Sequence, residues 1–149
     1  GCGGLELGGG GLLAGVAAAV KARAAADGRR VRIVGVQAEN SAAYPSSMAA
    51  GKPLEVATRP TIADGIAVAR PGDLPFEIIH DLVDEVVTVT EDDIARALLV
   101  LLERAKQVVE PAGAVGVAAM LAGKVTATGT TVTVLSGGNI DPLLLQRVV

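Results

Sequence analysis

Apolar positions along this chain come in two rhythms, one long and one short. Leu12 to Ala26 is a run of Ala, Val and Leu interrupted by Lys21 and Arg23. Residues of that kind predict a helix, closed by Asp27-Gly28 with Gly28 just past its end. Val31-Arg32-Ile33-Val34-Gly35-Val36 is short and β-branched, which predicts a buried strand, and Glu39 lies beyond its carboxyl end. Ser41 to Ala50 predicts a short helix stopped by Gly51-Lys52-Pro53, and Leu54 to Leu74, rich in Pro, Gly and Asp, predicts a long ordered loop. A helix over Phe76 to Leu82 and a strand over Glu85 to Val89 follow.

Thr90-Glu91-Asp92-Asp93 starts the next helix: the threonine hydroxyl caps free N–H groups, and three acids sit at the positive end of the helix dipole. Ile94, Ala97, Leu98, Leu101 and Ala105 then recur at helical spacing and are expected to face the core. Pro111 opens a helix running to Leu121 and closed by Gly123. Thr131 to Leu135 predicts the third strand, and Asp141 to Val149 a terminal helix. Gly1 to Leu7 shows no clear period and reads as a remnant or disordered N-terminus. Helices alternating with short buried strands indicate an α/β layered domain, three parallel strands in one sheet with helices on both faces.

Length and composition narrow the picture. The 149 residues suit one domain able to bury a core, and 50% of them are hydrophobic. A net charge of −3 without a basic stripe argues against nucleic acid, and one Tyr, one Phe and no Trp leave no base-stacking platform. Apolar runs fall short of a membrane span, and the first residues do not resemble a signal peptide. The single cysteine, Cys2, excludes an internal disulfide, so the cytoplasm is the expected compartment.

Candidate chemistry begins at Gly8-Gly9-Gly10-Gly11, set directly before the first helix. A flexible turn feeding a helix start offers unpaired N–H groups at the positive dipole end, a geometry that suits a phosphate. The alternative is a glycine-rich linker. In such sheets ligands bind at the carboxyl ends of strands, where Glu39, Thr90 and Ser136 also fall. A phosphate loop normally hangs from a buried strand, and with only Leu5 to Leu7 available that strand is expected to be missing or truncated.

Gly9, Gly11 and Ala14 satisfy a dinucleotide fingerprint, although Glu39 lies later than its acidic residue should. Leu135-Ser136-Gly137-Gly138 resembles the signature string of ABC-transporter ATPases, but no Gly-Lys-Ser/Thr loop accompanies it. His80, the only histidine, is expected to be structural or exposed, and no Cys/His metal site or Ser-His-Asp triad can be assembled. Glu110, ahead of Pro111 in an apolar stretch, reads on its own as a helix N-terminal acid.

Five stretches in order carry a resemblance: Gly8-Gly9-Gly10-Gly11-Leu12, Thr61 to Val68, Asp84 to Asp93, Val109 to Ala114, and Leu135-Ser136-Gly137-Gly138-Asn139. Together they make residues 8–149 similar to the C-terminal part of the catalytic region of pyridoxal-phosphate-dependent threonine dehydratases (threonine ammonia-lyases), kin to serine racemase and serine dehydratase. The resemblance implies a truncated three-layer αβα large domain of the fold type II class, with a mostly parallel sheet. It implies that Gly8, Gly9, Gly10, Gly11 and Leu12 wrap the cofactor phosphate, that Ser136 meets the pyridine nitrogen, and that Glu110 lies near the ring. Glu39 and the Ala43 carbonyl resemble ligands of a divalent cation, Mg or Ca, while Pro45 stands where metal-binding members carry a further acid.

The implied activity is deamination of L-threonine and L-serine to 2-oxo acids and ammonia by a homo-oligomeric parent enzyme acting on a small amino acid. Lys21, Lys52, Lys106 and Lys124 sit in none of the matching stretches, so none is assigned as the Schiff-base lysine, and this chain alone is expected to be inert. Alternatives are a serine racemase-like isomerase and a non-catalytic phosphate- or nucleotide-binding domain.

Overall fold

Cys2–Glu6, where no strand was expected, form β1, an inner strand of a four-stranded parallel sheet. The structure, a computed structural model, describes residues 1–148. β2 spans Arg32–Ala38, β3 Glu85–Val89 and β4 Thr131–Thr133, in the order β3-β2-β1-β4. β1 pairs with β2 from Cys2 opposite Arg32 to Glu6 opposite Val36, and with β4 from Cys2 opposite Thr131 to Gly4 opposite Thr133. The three expected strands are therefore present and parallel, but residues 1–7 are no disordered remnant, and Cys2 is buried in the core.

The reason β1 hides from pattern analysis is its position. A strand covered on both faces shows no alternation of polar and apolar residues, and Gly3 and Gly4 erase what period remained. β4 is shorter than expected: Val134 N–H still donates to the Gly4 carbonyl at 3.2 Å, and there the ladder ends. As an edge strand it has a single neighbour to hold it.

Among the described residues six helices cover the sheet: α1 (Gly11–Ala26), α2 (Tyr44–Ala50), α3 (Asp73–Leu82), α4 (Glu91–Val100), α5 (Pro111–Leu121) and α6 (Pro142–Val148). Val149, the expected last residue of the final helix, lies outside the described residues. Leu5, Leu7 and Ile33 point to one face and meet Leu13, Ala17, Tyr44, Phe76 and Ile79 from α1, α2 and α3. Val34, Val36 and Val89 point to the other and meet Ile94, Ala97, Leu98, Val115 and Ala118 from α4 and α5. Helices lie on both faces, as the alternation of elements required.

α4 begins with a reciprocal cap. Thr90 Oγ1 accepts from Asp93 N–H at 3.1 Å, and Asp93 Oδ2 accepts from Thr90 N–H at 3.0 Å. Ile94, Ala97, Leu98 and Leu101 are buried as expected, whereas Ala105 is exposed. The cause is a π-helical turn over Leu101–Ala105, whose wider winding breaks the 3.6-residue period and rotates Ala105 outward. The long loop after α2 is irregular apart from a 3-10 turn at Asp64–Ile66. Glu91 pins it: Thr61 Oγ1 donates to one carboxylate oxygen at 2.6 Å and Ile62 N–H to the other at 2.7 Å.

Candidate active site

The four glycines follow β1 directly and end at α1, so they form a strand–turn–helix junction at the carboxyl end of an inner strand. Gly10 precedes the helix with φ +103°, a left-handed conformation that a side chain would strain. A Cβ there would also collide with the Tyr44 hydroxyl. The turn is held from beneath. The Gly9 carbonyl accepts from Tyr44 Oη at 3.2 Å and from Gly72 N–H at 3.1 Å. Tyr44 is fully buried, which pushes its hydroxyl up to about 12. Its N–H donates to Gln37 Oε1 at 2.9 Å, and Gln37 Nε2 donates to the Leu7 carbonyl at 3.1 Å.

Above the turn is a recess of about 160 Å³ lined by Glu6, Gly8 to Gly11, Leu12, Leu13, Gly65 and Ile66. The first turn of α1 leaves its N–H groups without intrahelical partners, and the positive end of the helix dipole points the same way. A larger cavity of about 510 Å³ lies at the amino ends of the strands, lined mainly by aliphatic residues such as Val16, Val20, Val31, Ile33 and Val132. It holds none of the polar groups singled out in the sequence.

Two further loops close on the recess. Gly65 packs on the start of α5: a Cβ there would come 3.2 Å from Ala112 Cβ and within ordinary contact, 3.8 Å, of the carboxylate oxygen of Glu110, the residue ahead of α5. The turn after β4 packs on the same acid: Glu110 N–H donates to the Gly137 carbonyl at 3.3 Å, and Gly137, at φ +71°, has no room for a side chain against the Glu110 carboxyl. α5 reaches this turn because Gly113 lets it press onto the Ser136 backbone, where any Cβ would collide. Ser136 Oγ and Glu6 Oε2 are both shielded from solvent, and neither makes a hydrogen bond of good geometry. Burial pushes the Glu6 carboxyl above the usual carboxylate range; the nearby Ser136 hydroxyl opposes that shift and the Glu110 charge adds to it.

Gly8 to Gly11, Leu12, Glu110 and Ser136 thus converge, and the structure adds Glu6, Tyr44 and Gly65 to them. Sequence inspection passed over Glu6, although an acid between two leucines just before the glycines was a visible signal. Tyr44 carried none, because its approach to Gly9 spans 35 residues of chain. Glu39 and Ala43 stand apart at the carboxyl end of β2. Glu39 is exposed, while the Ala43 carbonyl accepts from Ser47 Oγ at 2.7 Å, Ser47 N–H at 3.2 Å and Ser46 Oγ at 3.2 Å. Among the described residues no three His, Cys, Asp or Glu side chains gather as a metal group. With Ala43's carbonyl committed to α2 and Pro45 beside it, the arrangement does not fit a divalent cation.

His80 is exposed on α3, with its ring 5.6 Å from that of Phe76 and away from the recess. Lys21 sits on α1 with its ammonium on Asp84 and the Val31 carbonyl, and none of the four lysines lines the recess. Residues 5–137 match the family model described as pyridoxal-phosphate dependent enzyme. The chain belongs to that family.

The relatives it matches are consistent in kind. The L-threonine ammonia-lyase of Thermotoga maritima is 48% identical over 97% of this chain and 35% of its own length. The catabolic L-threonine dehydratase of Escherichia coli K12 is 43% identical over 92% of this chain and 41% of its own. A crystal structure of threonine deaminase from T.th. superposes with a TM-score of 0.86 at 38% identity, covering 94% of this chain and 46% of that one. Maize serine racemase superposes at 0.87 with 34% identity, covering 98% and 46%. The chain therefore spans well under half the length of the curated relatives it matches. The parallel sheet flanked by helices is the fold these neighbours share.

Proposed function

We propose that the protein containing this chain is a pyridoxal-phosphate-dependent lyase that deaminates L-threonine, and L-serine as a second substrate. Net, threonine gives 2-oxobutanoate and ammonia and serine gives pyruvate and ammonia; the water lost in the elimination is regained in hydrolysis. The observation that carries this reading is the convergence of the glycine recess with the unpartnered Ser136 hydroxyl across the carboxyl ends of β1 and β4. The residues fit the cofactor: a recess with free N–H groups at a helix start takes a phosphate, and the shielded Ser136 hydroxyl, which makes no well-formed hydrogen bond, has room for a further polar partner.

In this reading Gly8 to Gly11 and the Leu12 N–H would hold the phosphate, and Ser136 Oγ would meet the ring nitrogen. Glu110, packed against Gly137, would lie near the ring. The bound cofactor supplies an electron sink for bonds broken at the substrate's α-carbon. A serine there, in place of an acid, would leave the ring nitrogen unprotonated and so would favour loss of a β-hydroxyl over reactions needing a stronger sink. The names of the relatives support threonine as substrate.

The test is a 2-oxobutanoate assay with threonine on the complete protein and on this chain alone. The complete protein is expected to turn over, and Ser136→Ala to lower its kcat/KM by roughly ten- to a hundredfold, the worth of one hydrogen bond to a polar partner in a buried site. The 149-residue chain alone is expected to give no product, since no lysine lines the recess. A complete protein that eliminates neither amino acid would overturn the assignment. Turnover by the isolated chain would overturn its expected inertness.

A further inference from the structure

An acid at the base of a phosphate recess poses an electrostatic problem. Glu6 lines the recess together with Gly8 to Gly11, and among the described residues the recess wall includes no lysine or arginine to neutralise it. Its Oε2 atom is shielded from solvent without a hydrogen bond. The groups facing it are the Glu110 carboxylate from the start of α5 and the Ser136 hydroxyl from the turn after β4; Asp64, beside Gly65, is exposed. A second acid nearby makes a charged Glu6 costlier still.

We propose that Glu6 is a further residue of this site, needed there as its neutral acid, so that protonation of this one carboxyl sets the affinity of the glycine recess for a phosphate or sulfate anion. The proposal rests on the glycine turn being an anion site. Neutral, the carboxyl O–H donates toward Ser136 or the bound anion and leaves the helix dipole unopposed. Ionised, it places a negative charge within a few ångströms of the anion. Burial and the Glu110 charge favour the neutral form, and together they outweigh the Ser136 hydroxyl, which favours the ionised one. Glu6 is therefore a positioning residue for charge, and its signature is a pH profile that a merely structural side chain would not produce.

Sulfate is the probe, because it stays a dianion across the range where phosphate itself titrates. The 149-residue chain is titrated with sodium sulfate at fixed ionic strength from about pH 4, near the ordinary glutamate value, up to about pH 8, following the amide resonances of Gly8 to Leu12. Affinity is expected to fall about tenfold as pH rises, the effect of one charge on a dianion several ångströms away in a largely aqueous dielectric. Glu6→Gln is expected to flatten the profile and to bind at the alkaline end about as tightly as the parent chain binds at the acidic end. Glu110→Gln is expected to keep the dependence but move its midpoint to lower pH. If Glu6→Gln retains the full dependence, the role of Glu6 is overturned while the anion site stands. If Glu6→Gln does not fold, an unmoved midpoint in Glu110→Gln overturns the role. If no amide from Gly8 to Leu12 responds to sulfate at any pH, the anion site fails, and the role of Glu6 with it.

Discussion

At the scale of single residues, the glycines of the turn are not equivalent. Gly10 combines a left-handed backbone with a wall formed by Tyr44, Pro75 and Ile79, so a methyl group there meets strain and collision together. Gly9 meets nothing within 4 Å of the place a Cβ would take. Gly10→Ala should cost on the order of 2–4 kcal/mol, and Gly9→Ala less than about 1 kcal/mol; urea unfolding of the two variants checks the contrast. Equal losses would mean that the turn is not clamped by Tyr44 as described. The motif was legible in the sequence, but which glycine is obligatory was not, because Tyr44 approaches from α2, far along the chain.

Among elements, the start of α4 does two tasks. Thr90 and Asp93 cap the helix, and Glu91 in the same turn anchors Thr61 and Ile62, and with them the loop that brings Gly65 to the recess. Thr90→Ala removes one acceptor for a first-turn N–H and should cost about 1 kcal/mol. Chemical denaturation measures it, and an unchanged midpoint would show the cap to be idle. The cap and the helix were readable from Thr-x-x-Asp spacing. The outward turn of Ala105 was not, since it follows from a π-helical winding that no local pattern announces. α5 shows the same division. Its Pro111 start is a local signal, while Gly113 and Gly116 acquire meaning only against the Ser136 backbone and Thr133.

For the whole molecule, acid stability depends on how the amino end of the sheet is tied. Asp84 Oδ2 accepts from Lys21 Nζ and from Ile33 N–H, both at 2.7 Å, and so joins α1, β2 and the entry to β3. Burial alone would raise this carboxyl, but the hydrogen bonds from Lys21 and Ile33 and the charges of Lys21 and Arg32 hold it below the ordinary aspartate value. A carboxyl lowered on folding adds stability above its unfolded pKa of about 3.9, and that stability is lost as pH falls through the folded value. Because the side chain is 42% exposed, the contribution is modest. Asp84→Asn should lower stability by about 0.5–1 kcal/mol at neutral pH, with the deficit shrinking below about pH 4. Urea midpoints at about pH 7 and about pH 3, either side of that value, decide it; a deficit that persists undiminished in acid would exclude this linkage.

The sequence by itself determined the helices, the parallel class of the sheet and the order of the site motifs. Those features rest on periodicity, caps and turn residues within a few positions of one another. Tertiary structure alone decided that Cys2–Glu6 is an inner strand, since a segment buried on both faces carries no period. It alone placed Glu6 beside Ser136 and Glu110, because their meeting depends on β1 lying between β2 and β4 and on α5 packing across them. Local chemistry chose the elements; long-range packing chose which of their polar groups face one another.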